Sequence, residues 1–473
     1  MLKKTFLVVL TFMSTTVFAN EIFTQSIKLD KHYKVENTFS GDLFENTSFH
    51  FIFTKNKKTK KKEILGYIYN GNSVEKLESF SNYNYLSVTS FHNTKSHLIV
   101  LFSYEEDHSR YLKKVVYDLN SKKISENITL TNERFEGSFR TKDRSVLIYK
   151  IKDTLKTRSF NGTNKVEVSK YVFSNKKDPV KKYLKESIIN TIKTDEFVAN
   201  GSTFELKAYL DGNKIIFTKD DSSKNQCSVL TISLDNNKIT PSKILEFENK
   251  NGDKRYKKSI SYYNNDHLFF LSLGKKSGAI KIFNISKNEE VNNFVLNADL
   301  DSKILKNEDF KGVEDFLKNA SKNKFKPTIT VNKTKSDKIR IRVDYVDVNY
   351  GYHNDWWWHH QQFMRWQNQF HMQQMRVNLP SGFGPNPTEY VDIPLLNTQK
   401  RYFEFTLDIN GKINQEDSSE TIYKEIDKKQ YIETLEEIKN IKHESSCFLK
   451  DSFRYIGYSN KRKEFIFQTN KIK

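Results

Sequence analysis

The sequence predicts an all-β fold, a β-propeller of about seven four-stranded blades with short helical insertions, and three observations carry that reading. Aromatic residues are abundant (36 Phe and 24 Tyr) while Gly is scarce at 16, which favours strands over a large helical core. A short phrase keeps returning: an apolar residue, Asp or Asn, a turn, then Ile or Val. Its copies begin at Asn70, Asp118, Asn161, Asp235, Asn284 and Asp408, with gaps of 48, 43, 74, 49 and 124. Asn, Asp and Gly accept positive φ and bond their own backbone, so each phrase reads as a hairpin between alternating strands. Units of roughly 45–50 residues holding several short strands are what a propeller blade needs.

Taken in order, the chain opens on a secretory signal. Lys3-Lys4 is its charged start, Phe6 to Phe12 its apolar run, and Val17-Phe18-Ala19 its cleavage site, so residues 1–19 are expected to be removed after Ala19. The apolar run is far short of the ~20 residues needed to span a bilayer. No later segment is apolar enough to do so, and the mature chain is expected to be exported, periplasmic or extracellular. Residues 20–473 are read as one domain, because a repeat overrides a division by length.

The formal charge is +20, and removing Lys3 and Lys4 leaves +18. Lys57-Lys58-Thr59-Lys60-Lys61-Lys62 lies between two strand-like segments and reads as a solvated hairpin tip. A field of this sign attracts polyanions such as anionic lipid or lipopolysaccharide. An exported chain without a nucleic-acid module is not expected to bind nucleic acid. Cys227 and Cys447 are the 2 cysteines. Export permits a disulfide between them, but their distance in sequence leaves open whether they pair or stay as buried thiols.

Within the units, Ser87 to Phe91 reads as a solvent-side strand and Leu98 to Phe102 as the buried inner strand after it. Ile215 to Phe217 and Leu268 to Leu271 are comparable runs. Leu210-Asp211-Gly212-Asn213-Lys214-Ile215 matches the turn phrase at the wrong spacing. The two long gaps are filled by insertions at about 178–198, 300–324 and 351–389. The first has a helical pattern (Val180, Tyr183, Leu184, Ile188, Ile192) and the second another around Phe310 to Leu317. One extra blade boundary is also expected in the last gap. Phe453 to Tyr458 and Glu464 to Phe467 can supply closing strands that leave the ring no open edge.

The third insertion is the unusual one. All 4 Trp, 4 of the 11 His and every Met beyond the first 13 residues lie between Tyr345 and Tyr390. Ile339 to Tyr345 and Tyr402 to Leu407 read as strands on either side. Asp355 can cap a helix, Trp356 to Arg376 contains no Gly or Pro, and Pro380, Pro385 and Pro387 stop it. On a helical wheel Trp356, Phe363, Trp366 and Phe370 share one stripe, with Trp357 and Trp358 beside its start. His360, Met364, His371 and Met375 share the neighbouring stripe as two i, i+4 pairs. Three uses of this surface stay open. It packs on the ring as a cap; it is exposed and docks a protein, glycan or anionic envelope component; or its His and Met side chains bind Cu(I), a soft cation suited to imidazole and thioether. No other cofactor is expected.

Elsewhere, Glu105-Glu106-Asp107-His108 is an acid cluster at an expected hairpin loop. Asp344 and Asp347 near His353 form a candidate metal or acid–base site, with Arg340 and Arg342 on hand to make ion pairs instead. No nucleophile elbow, phosphate loop or zinc motif is present. The chain thus resembles exported β-propeller repeat proteins at the level of fold, most clearly in Leu407-Asp408-Ile409-Asn410-Gly411-Lys412-Ile413. The Trp-Asp signature of one propeller family and the Gly-Gly pairs of another are missing. The expected function is an exported binding or scaffolding module. The alternatives are a periplasmic copper-binding protein and a propeller enzyme acting on glycans or peptides, with carboxylates gathered at the central opening.

Overall fold

The computed structural model describes residues 23–471 except 45, 132, 142, 152–153, 164, 174–177, 179, 183–188, 193–199, 202–203, 237, 248–255, 305–309, 335–337, 348–392, 395–401, 409–410, 415–440 and 450–451. Seven sheets, each built on four antiparallel strands counted outward from the first, form the blades of a β-propeller. Blade 1 is Tyr33–Phe44, Thr47–Asn56, Lys62–Tyr69 and Val74–Lys76; blade 2 is Ser87–Asn93, His97–Glu106, Ser109–Asp118 and Ile124–Leu130. Blade 3 is Arg134–Arg140, Arg144–Ile151, Thr154–Asn161 and Lys165–Val172; blade 4 is Leu206–Asp211, Lys214–Asp221, Gln226–Ser233 and Ile239–Glu246. Blade 5 is Lys258–Asn264, His267–Leu273, Gly278–Asn284 and Glu289–Leu296; blade 6 is Phe325–Lys333, Ile339–Asp347, Phe403–Leu407 and Ile413–Asn414.

Blade 7 closes the ring. Ile441–Phe448, Ser452–Ser459 and Glu464–Lys471 supply three strands, and the fourth is Phe23–Lys28 from the other end of the chain, in register from Phe23↔Thr469 to Lys28↔Glu464. Val35, Tyr69, Ile456, Phe465 and Phe467 then bury a shared core across the blade 7–blade 1 seam. Polar bonds run beside it: Thr469 Oγ1 donates to the Tyr69 hydroxyl at 2.9 Å, and the Ser40 and Ser445 hydroxyls lie 2.7 Å apart.

The six turn phrases are the six hairpins between third and fourth strands of blades 1 to 6. The leading Asn or Asp acts locally, as Asn70 Oδ1 accepts from the backbone of Asn72 and Ser73 at 2.9 and 2.8 Å. Asp118 does the same for Asn120 and Ser121 at 2.8 and 3.0 Å. Positive φ falls where the phrase demands it, 97° at Gly71 and 74° at Gly411. Blade 7 has no such phrase because its fourth strand arrives from the N-terminal side. The off-spacing copy at Leu210 is the hairpin between the first and second strands of blade 4.

Two expectations need correction. Ser87 to Phe91 belongs to the innermost strand of blade 2 and is largely buried, while the fully buried run Leu98 to Phe102 is the second strand. A second strand has strands on both edges and a neighbouring blade on both faces, so it gives the longest apolar run. The gap from Asn284 to Asp408 holds a single blade among the described residues, without an extra boundary. The other insertions are as expected only to a degree. Helix α1, Val313–Ala320, buries Val313, Phe316, Leu317 and Ala320, and its first N–H is held by Asp301 at 2.9 Å. In the earlier insertion residues 180–182 are helical, whereas Ile192 lies in a short strand, Asn190–Ile192, parallel to the first strand of blade 4. The cleavage site at Ala19 lies outside the described residues.

Cys227 and Cys447 are both buried and unbridged. Blade 4 holds a buried charge pair whose acid reaches blade 5: Lys207 Nζ lies 2.5 Å from Asp220 Oδ2, with side-chain exposures of 0% and 1%. That oxygen also accepts the backbone N–H of Ser261 at 2.9 Å, and Lys207 bonds the Phe204 carbonyl at 2.9 Å. Removing one member of such a pair strands the other charge in a medium that cannot solvate it. Asp220→Ala is expected to cost about 3–5 kcal/mol by urea denaturation; a loss within the range of an ordinary surface substitution would show that Lys207 reaches solvent.

Candidate functional site

The sequence-predicted surface residues Trp356, Trp357, Trp358, Phe363, Trp366 and Phe370, and the copper set His360, Met364, His371 and Met375, all lie outside the described residues. The root of that stretch is described. Ile339–Asp347 and Phe403–Leu407 pair with each other, Ile339↔Leu407 through Val343↔Phe403, so blade 6 is hydrogen-bonded across the interruption. Of the candidate metal or acid–base site, Asp344 is described, and it belongs to the alternative, an ion-pair network. Arg342 lies 3.4 Å from Asp344 and 3.3 Å from Glu404, and Arg340 also pairs with Glu404. The Arg342 guanidinium stacks 3.5 Å over the Tyr402 ring. His353 lies outside the described residues, and so does the side chain of Asp347.

The Glu105–His108 cluster is a tight hairpin loop, with Asp107 and His108 at φ of 46° and 62° and Glu105 bonded to Arg110 at 2.9 Å. Among the described residues no group of His, Cys, Asp and Glu has the makings of a metal site.

What the sequence did not show is a repeated irregularity near the axis. The innermost strands of blades 7, 1, 2 and 3 each break register with their second strand, at His443-Glu444, Glu36, Thr89 and Glu136. A bulge re-aims the extra residue and frees its backbone from the ladder. Two of the freed carbonyls are taken up by the next blade. Thr38 Oγ1 donates to His443 O at 2.9 Å and Ser138 Oγ to Thr89 O at 3.2 Å, each from the position two residues past its own bulge. The signal in sequence would have been hydroxyl residues recurring two places past a charged or polar one, which is too common to single out.

The bulges of blades 2 and 3 flank a cleft of about 240 Å³. Tyr85, Tyr104, Tyr111, Phe135 and Tyr149 form its aromatic walls, and Thr89, Glu105, Arg110 and Glu133 its polar lining. Glu133 pairs with Lys156 and with Arg158. Burial opposes its ionisation, but the bond from Lys156, its own backbone N–H and the two cationic charges outweigh this and hold the carboxyl below its ordinary value. The Thr89 hydroxyl is buried and has no partner among the described residues.

On the other face Arg140 of blade 3 grips Asp42 of blade 1 through both terminal nitrogens, Nη1 at 2.7 Å, and lies 4.1 Å over the Phe91 ring of blade 2. A second cleft of about 540 Å³ opens beside it between blades 3 and 4, lined by Arg140, Arg144, Asn161 and Asn213. Arg144 is already bonded across that cleft, to Asn213 Oδ1 at 2.6 Å and Gly212 O at 2.8 Å.

No family model and no curated protein matches the chain. Among solved structures it is similar to the WD40 domain of SCAP from fission yeast, at 8% identity over 95% of this chain and 98% of that one, with a TM-score of 0.29. It is also similar to the Dos1 propeller, at 9% identity over 93% and 96%, with a TM-score of 0.31. A putative dipeptidyl aminopeptidase IV from Bacteroides ovatus matches at 9% identity over 68% of this chain and 46% of its own, with a TM-score of 0.32. The propeller rests on the strand pairing, to which scores this low add nothing.

Glu136, 2% exposed, offers a test of the bulge region. Burial pushes its carboxyl from 4.5 up to about 7, with the charges of Arg134 and Lys150 offsetting some of the effect. The folded protein therefore keeps a proton in that window that the unfolded chain has released, so this group lowers stability as pH rises through it. Glu136→Gln removes the penalty. Relative to wild type its stability should rise by about 3 kcal/mol from below pH 4.5 to above pH 7, read from urea midpoints. A difference that does not change with pH would mean that Glu136 titrates as an exposed carboxylate.

Proposed function

We propose that the protein is an exported binding module in which the propeller is a rigid body and the Trp/His/Met-rich stretch of residues 351–389 is the docking surface. One observation carries the reading: the strands on either side of the stretch pair directly, so blade 6 does not need it to complete its ladder. A segment free of that task that also collects every Trp of the chain is suited to recognition, since indole combines large apolar area with a polar edge. The net positive charge favours an anionic envelope component as the partner.

Because all 4 Trp lie between residues 356 and 366, intrinsic Trp emission reports on this stretch alone. Adding phosphatidylglycerol vesicles or lipopolysaccharide to the full chain should shift that emission to the blue. Deleting residues 354–387 should abolish co-sedimentation with the same particles and leave cooperative unfolding intact. Emission unmoved by either particle, or a deletion that leaves no folded protein, would refute the docking role.

A copper role is a second reading of the same stretch, favoured by the His360/Met364 and His371/Met375 pairs. It predicts that His371→Ala combined with Met375→Ala lowers Cu(I) uptake in competition with a chromogenic chelator. A wild-type chain that takes up no Cu(I) at micromolar metal removes that reading.

A further inference from the structure

We infer that the cleft between blades 2 and 3 binds a single neutral sugar ring. The site lies on other blades than the 351–389 stretch and does not depend on its role.

The lining selects the ligand by elimination. Its charges are already matched within the protein: Glu105 is bonded to Arg110 at 2.9 Å, and Glu133 is held by Lys156 and Arg158. A cation or anion entering here would have to displace one of these partners, so a charged ligand gains little. A purely apolar ligand would strip water from Arg110 and Glu105 without replacing its hydrogen bonds. A neutral molecule with hydroxyls on its rim and C–H bonds on its face meets both demands. The Tyr111 ring stacks on Tyr104 with centroids 5.1 Å apart and planes 17° from parallel, so Tyr104 backs one face of Tyr111 and holds the ring in place. Carboxylates and guanidinium groups that are engaged with one another still have lone pairs and N–H groups for hydroxyls. At about 240 Å³ the cleft falls below the size of drug-sized pockets and suits one six-membered ring, the end of a glycan, over a length of peptide.

Thr89 is the second, independent pointer. It is 7% exposed, it lines the cleft, and its hydroxyl has no partner among the described residues. The residue sits at the register break of blade 2, where the extra position is turned out of the regular alternation. A buried hydroxyl left without a partner costs stability; a turn of the Thr89 side chain about its Cα–Cβ bond would bring Oγ1 to the cleft wall, where a ligand hydroxyl would recover it.

The test is saturation-transfer NMR on the full chain with glucose, galactose, mannose, N-acetylglucosamine and their disaccharides at millimolar concentration. At least one should show transfer. Thr89→Val should weaken its binding by about tenfold while leaving the melting temperature unchanged or higher, because the substitution removes an orphan hydroxyl at constant shape. Tyr111→Ala should abolish the transfer, with Tyr111→Phe retaining it as a control for folding. The inference is overturned if no sugar of the panel shows transfer, or if transfer is the same in Thr89→Val and Tyr111→Ala as in the parent chain.

Discussion

The architecture depends on six residues near the start of the chain pairing with six near its end. Phe23–Lys28 is the fourth strand of blade 7, and without it Glu464–Lys471 would present a bare edge in the last blade. Every other blade takes its four strands in chain order from one stretch of the chain and could in principle form without the far end. Closure alone requires the two ends of the chain to meet, and most of its entropic cost must be met there. The seam it creates is accordingly well furnished. Phe467 packs edge-on against Tyr69 and His50, and Arg454 of blade 7 reaches the carbonyls of Asn46 and Asn70 in blade 1, each at 3.3 Å.

Polar side chains knit neighbouring blades in a way that a purely apolar wedge could not. His50 is fully buried and bonded at both ring nitrogens within blade 1, to Ser40 at 2.7 Å and Ser48 at 2.8 Å, and the Ser40 hydroxyl carries the connection to Ser445 of blade 7. Burial, with the nearby Arg454 charge, pushes its pKa down to about 3, which keeps the ring neutral. His92 of blade 2 crosses to blade 3 directly, bonded to Ser145 and to the Gly162 carbonyl at 3.0 Å each. Such bonds have direction, so they fix how each blade is rotated against the next; apolar packing tolerates sliding. The bulges of blades 7, 1, 2 and 3 fall on the same side of the ring as these seams. Four of the seven blades are therefore built on interrupted first strands, and the 240 Å³ cleft lies among them.

Much of the fold was legible because its signal is local. Asn70, Asp118, Asn284 and Asp408 bond backbone groups two to four residues away, and chemistry at that range is written in consecutive letters. The order of strands within a blade was harder to read. Leu98 to Phe102 looks like a strand at the centre of something, but its centrality comes from neighbours on every side, and the strand nearest the axis is the more polar one before it. The N-terminal strand is silent in the sequence because Phe23 to Lys28 has no turn phrase to mark it and pairs with residues more than four hundred positions away. The cleft was illegible for a related reason. Thr89 and Tyr111 come from different strands of blade 2 and Glu133 from the approach to blade 3, and the register break at Thr89 is a property of a pairing, not of a segment. Lys207 and Asp220, 13 residues apart, gave no hint that two charges would be buried together.

Cys227 and Cys447 sit in blades 4 and 7, each closed off from solvent. Burial raises both thiols well above their ordinary range, with the charges of Asp220 and Asp42 adding to it. Neither sulfur is a nucleophile while its blade is shut. An alkylating reagent can mark one only after that blade has separated from its neighbours, so the molecule carries two internal clocks, on distant sectors of the ring, that time local opening against global collapse.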